Sequence, residues 1–165
     1  RVDVVGYMLL AGGIFFLFMD KIFHTDRVTQ DNITYPQAFK IGMFQIIAMI
    51  PGVSRSAATI IGGLSQKLDK KTAAEFSFFL AVPTMFAATL YSMYKYFDEG
   101  GTFGQNEVVA MIVGNVVAFI VAMIAIKSFI GYLTRHGFRI FGYYRIIVGI
   151  IILVLYYYGI DLAVV

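Results

Sequence analysis

Three stretches of this chain, Val4–Met19, Phe76–Tyr94 and Val108–Ile126, contain no charged residue, and a fourth, Ile140–Ile160, contains only Arg145. An apolar run of roughly 17–25 residues is long enough to cross a bilayer as a helix. Inside hydrocarbon the backbone must satisfy its own hydrogen bonds, which leaves helices and closed barrels as the spanning structures. The four runs are therefore predicted as spanning helices of an all-α integral membrane protein. Val4–Met19 is the shortest, with ends that snorkel, and Pro83 marks an expected kink in the second. Tyrosines near the run ends, such as Tyr94, Tyr143 and Tyr157, suit an interfacial aromatic belt. Composition excludes the alternative of a water-soluble domain: 59% of residues are hydrophobic and 14% charged, against about 45–50% and about 25% in soluble proteins. The absence of cysteine excludes disulfides and thiol chemistry within these residues. The net charge of +3 is small and sits in clusters, so it informs topology rather than nucleic-acid binding. Arg1 in place of a methionine suggests a processed chain or a fragment. The first run has Asp3 before it and no basic flank, which argues against a signal peptide.

One segment does not fit this pattern. Ile41–Ser54 and Ser56–Gln66 are each too short to cross, and Pro51-Gly52 separates them. A re-entrant helical hairpin over residues 36–66, within a single membrane domain 1–165, is the predicted arrangement. Charge supports it. With re-entry, Lys21, Arg27, Lys67, Lys70, Lys71, Lys127, Arg135 and Arg139 share one side against Arg1 and Lys95, eight to two. With a full crossing the split becomes seven to three. The positive-inside rule then puts the hairpin feet in the cytoplasm, with both termini and the tip outward.

The tip reads "PGVSRSAAT", Pro51–Thr59. A charged arginine at membrane depth costs about 2.5–3.5 kcal/mol on insertion scales and demands a partner. Ser54 is placed to cap the returning helix, with Arg55 and Ser56 in its first turn. Thr59 follows one turn later on the same face. Free backbone amides and the positive end of the helix dipole then converge with the guanidinium. Such a set forms an anion site, and a phosphate group matches the planar donor array of Arg55. Gly62-Gly63 lets a second backbone approach. The plainer alternative is a capping serine and an arginine paired with a buried carboxylate.

On these residues the chain resembles the undecaprenyl pyrophosphate phosphatase family of the bacitracin-resistance type. "PGVSRSAAT" follows "QAFKIGMFQ" (Gln37–Gln45), and "AAEFSFFLAVPTM" (Ala73–Met85) resembles a further family segment. The resemblance covers essentially all 165 residues and implies the C-terminal part of a longer protein, one hairpin of an inverted-repeat pair. It implies hydrolysis of undecaprenyl diphosphate to the monophosphate, recycling a cell-wall lipid carrier at the outer face of the bacterial inner membrane and giving bacitracin resistance. Arg55, Ser54 and Thr59 are then the expected catalytic contacts, with Gly52, Ser56, Gln45 and Glu75 as substrate-binding candidates. The family's glutamate-rich helix and its P-V-S-S-T-G-H motif are absent here. Carboxylates, a histidine and most ligands of an Mg²⁺ or Ca²⁺ ion are therefore expected from the upstream half. The nucleophile is either a serine hydroxyl or an activated water. Expected partners are the polyprenyl diphosphate lipid, membrane lipids, the upstream half and a second copy in a homodimer, with no nucleic acid. A transporter or flippase for a phosphate-bearing substrate is the alternative, since broken helices aimed at an anion serve transport too.

Other polar residues have plainer roles. Thr72-Ala73-Ala74-Glu75 reads as a capping box. Ser77 is assigned to helix packing, and Asn115 to a helix–helix hydrogen bond. Gln45 either faces a cavity or bonds a neighbouring helix. Arg145 is expected to snorkel to the cytoplasmic interface. His24 and His136 lie in charged loops and are assigned no chemistry.

Overall fold

A computed structural model describes residues 2–23 and 32–159. Among them the regular structure is helical: α1 (Val2–Ile22), α2 (Tyr35–Phe44), a 3₁₀ segment (Gln45–Met49), α3 (Arg55–Ser65), α4 (Lys70–Asp98), α5 (Gln105–His136) and α6 (Arg139–Tyr157). Four of these, α1, α4, α5 and α6, are long and apolar enough to cross a membrane. Each contains one of the four predicted runs, except that α6 ends at Tyr157 and Ile160 falls outside the described residues. Pro83 sits inside α4, which continues through it. Arg1 and Arg27 of the charge count, and His24, also lie outside the described residues.

The tightest helix pair is α1 with α6, and glycines make it. A Cβ at Gly13 would sit 2.7 Å from Ile146 Cγ1 and 2.9 Å from the Gly142 carbonyl oxygen. One at Gly142 would sit 2.9 Å from the Gly13 carbonyl oxygen. Gly6 and Gly149 repeat the relation seven residues away on each helix, in antiparallel order, with a Gly149 Cβ 3.1 Å from the Gly6 oxygen. Between membrane helices there is little hydrophobic drive, so close backbone packing at small residues supplies the association.

The short helices α2 and α3 pack against each other. Gly62 leaves room for Phe44, where a Cβ would meet Phe44 Cβ at 3.0 Å. Gly63 does the same for Ala73 of α4, at 2.8 Å. The chain reverses in a turn closed by the Val53 amide on the Ile50 carbonyl at 3.1 Å. Pro51 occupies the first central position and Gly52, at φ +90°, the second, as a type II turn requires. At the other end Gln37 Nε2 donates to the Gln66 carbonyl at 3.2 Å, tying the feet together. Beside them Asp20, near the end of α1, pairs with Lys70 at the start of α4 at 2.8 Å. The turn lies far from this pairing: a Cβ on Gly52 would approach Val5 O at 2.8 Å and Met8 Cβ at 3.0 Å, in the first turns of α1.

The helix start at α4 departs from the expected capping box. Its N-cap is Asp69, whose carboxylate accepts from the Thr72 amide and the Thr72 hydroxyl, both at 2.8 Å. Asp69 wins because it lies three residues before Thr72 and offers two charged acceptors, which leaves Glu75 outside the cap.

Candidate functional site

Ser54 caps α3 as its position suggests: extended at ψ 125°, it accepts from the Ala57 amide at 3.3 Å. Its hydroxyl lies 3.2 Å from that of Ser56. Both serines line a cavity of about 180 Å³ whose other walls include Phe138, Phe141 and Tyr144. A larger, nearly all-apolar groove of about 300 Å³ adjoins it, running between α1 and the hairpin past Met8, Phe15 and Phe44. Ser54, Ala57, Phe16 and Arg145 line both.

Arg55, the first residue of α3, faces α4. Its Nη1 donates to Thr84 Oγ1 at 2.7 Å, and Thr84 in turn donates to the Leu80 and Ala81 carbonyls. Arg55 lines neither of the two cavities. Among the described residues no carboxylate forms an ion pair with it. One protein hydrogen bond leaves most of its five donors unused at the N-terminus of a helix, where anions are favoured.

Thr59 has turned inward. It is 1% exposed, and its hydroxyl lies 2.6 Å from that of Ser77 while facing the Arg55 and Ser56 carbonyls at 3.1 Å. Ser77, also buried, adds a 3.4 Å bond to the Ser56 carbonyl. This pair stitches the first turn of α3 to α4, as the packing assignment of Ser77 expects. Gln45 borders neither of these two cavities, and its buried Oε1 finds no donor among the described residues. Glu75 is half-exposed, 3.9 Å from Lys71 on its own helix. Asn115 bonds its own helix, donating to the Met111 carbonyl at 2.7 Å, rather than a neighbour.

Arg145 departs most from expectation. Instead of snorkelling it turns inward, and its Nη2 donates to the Gly52 carbonyl at 2.9 Å. It can do so because Gly12 has no side chain: a Cβ there would lie 2.9 Å from Nη2. The Phe16 ring lies 5.7 Å from the guanidinium carbon. Thr84 is a site residue that sequence reasoning passed over, and Arg145 is one that it assigned to the membrane interface instead. The available signal for Arg145 was Gly12, a small residue on a run that needs a partner.

No group of three or more His, Asp or Glu among the described residues could hold a metal ion. The donors gathered around the turn are guanidinium, hydroxyl and amide groups, the kinds that hydrogen-bond an anion.

Fold and site define an all-helical chain of the multi-pass membrane type, with a broken helix pair whose cationic, hydroxyl-lined tip is packed between long helices. The family described as "Bacitracin resistance protein BacA" matches residues 1–151, and the chain belongs to it. Similar relatives carry the name "Undecaprenyl-diphosphatase". The one from Porphyromonas gingivalis is 57% identical over 98% of this chain and 58% of its own length. That from Flavobacterium johnsoniae is 56% identical over 93% and 59%, and that from Bdellovibrio bacteriovorus 54% over 98% and 61%. The chain thus spans about three-fifths of the length of these curated relatives.

Proposed function

We propose that this chain forms the head-group-binding part of an undecaprenyl-diphosphatase, a membrane enzyme that hydrolyses undecaprenyl diphosphate to the monophosphate and inorganic phosphate. The observation that carries this is the identity of 57% over 98% of the chain to a relative of that name. The tip is what such a reaction needs from these residues. Hydrolysis of a phosphoric anhydride depends on neutralising charge on the phosphates and on orientation. Arg55 and the free amides of α3 supply positive character, while Ser54 and Ser56 offer hydroxyls within 3.2 Å of each other. Thr59 and Ser77 hold that turn from behind. The apolar groove beside the tip suits a prenyl tail. Catalytic carboxylates, a histidine and a divalent cation would come from the remaining two-fifths of the protein.

The hairpin enters and leaves on one side of the membrane in this reading. Its support is positional: the feet adjoin Asp20 and Lys70, while the turn lies against Val5. About fifteen helical residues separate Val5 from Asp20, or roughly 22 Å at 1.5 Å per residue. The location is the bacterial inner membrane, with the tip toward the outer face and the feet among cytoplasmic lysines.

The test is phosphate release from a prenyl diphosphate by the full-length protein in detergent. Arg55→Ala should lower kcat/KM at least tenfold, since charge-assisted contacts to phosphate are each worth about 1.5–3 kcal/mol. Unchanged release in that variant would overturn the assignment of the tip, and no release by the wild type would overturn the activity.

A further inference from the structure

Arg55 points toward α4, so a different cation faces the cavity that holds Ser54 and Ser56. We infer that Arg145 of α6 is a second head-group-binding residue, which grips the diphosphate from the side opposite Arg55 while its Nη2 fixes the turn at Gly52. The inference rests on the proposed function above, and four observations carry it.

First, Arg145 lines both the serine-walled cavity and the apolar groove, so it stands where a charged head group would give way to a hydrocarbon tail. Second, its charge is uncompensated: among the described residues no carboxylate pairs with it, and its Nε is buried without an acceptor. A guanidinium taken out of water demands an anion or a full set of acceptors, and the Gly52 carbonyl satisfies one of five N–H groups. Third, space has been made for it. Gly12 is bare where the guanidinium passes, and the Phe16 face lies alongside at 5.7 Å, a contact that stabilises a cation without neutralising it. Fourth, Ser54 and Ser56 place two neutral hydroxyls on the same cavity. A lone arginine amid hydroxyls and aromatics accommodates a phosphate and repels no anion.

Two arginines then flank the N-terminus of α3, Arg55 from the α4 side and Arg145 from the α1–α6 side. A diphosphate has two phosphoryl groups to be held, and each arginine can present a planar fork. A monophosphate product fills one of the two positions and is released more readily.

The experiment measures KM and kcat for a short-chain prenyl diphosphate, and inhibition by inorganic pyrophosphate, with the full-length protein in detergent. Arg145→Gln should raise KM and the pyrophosphate inhibition constant at least tenfold, with a smaller change in kcat. Arg145→Lys, which keeps the charge but not the fork, should recover part of the loss. Gly12→Ala leaves the arginine in place but crowds Nη2, and should raise KM in the same direction. These two variants keep the test readable if Arg145→Gln does not fold. Wild-type KM and wild-type pyrophosphate inhibition in folded Arg145→Gln, or in both other variants, would overturn the inference while leaving the proposed activity standing. A wild-type protein that neither releases phosphate nor responds to pyrophosphate would instead overturn the activity on which it rests.

Discussion

The α1–α6 pair and α5 are all long and apolar enough to cross a membrane, yet they are built in opposite ways. Along α1 and α6, glycines recur at seven-residue intervals, Gly6 and Gly13 facing Gly149 and Gly142, and the backbones come into contact there. Along α5 the most apolar window has none of its residues buried, and Gly114 has nothing within 4 Å of a Cβ. Hydropathy says that a segment prefers hydrocarbon. Small residues in register say whether that hydrocarbon belongs to lipid or to another helix. The functional consequence is that the hairpin tip rests on the glycine-packed pair, with Gly52 against Val5 of α1 and bonded by Arg145 of α6. A charged tip needs a rigid mount, and α1–α6 supplies it.

The sharpest way to break this comparison is to add one methyl group to each region. Gly13→Ala places a Cβ 2.7 Å from Ile146 Cγ1 and against the Gly142 carbonyl, so it should cost about 1–3 kcal/mol, as overpacked cores do. Unfolding by denaturing detergent would measure it, and a neutral result would mean that α1 and α6 are not locked. The same substitution at Gly114 meets open space. It should stabilise by about 0.5–1 kcal/mol, because alanine loses less conformational freedom than glycine in a helix. A destabilising effect there would show that α5 packs against another surface in the full protein.

Much of this architecture is written in the residues. The four long helices follow from uncharged runs, and the break follows from Pro51-Gly52, whose turn chemistry allows little else. The serine cap was legible because capping is local, settled within three residues of Ser54. What was not legible depends on partners distant in sequence. Arg145 lies 93 residues from Gly52, and a residue near a helix end looks the same whether it snorkels outward or reaches in. Thr84 follows Pro83, and attention to the proline hides a hydroxyl that receives Arg55. Thr59 was placed by helical spacing on the face of Ser56, but α4 packs over that face and Ser77 takes the hydroxyl. For the same reason Gln45 and Glu75 share a motif region with the tip without sharing its cavity.

The central claim is that the cavity beside Ser54 and Ser56 receives the diphosphate head group. Ala57 borders it without contributing a polar group, and these residues contain no native cysteine to compete with a label. The direct measurement is the rate at which a water-soluble maleimide alkylates Ala57→Cys in the full-length protein, with and without a short-chain prenyl diphosphate. The account predicts that the diphosphate slows alkylation and that the corresponding prenyl alcohol, at the same concentration, does not. Equal rates with and without the diphosphate, or equal protection by the alcohol, would contradict it.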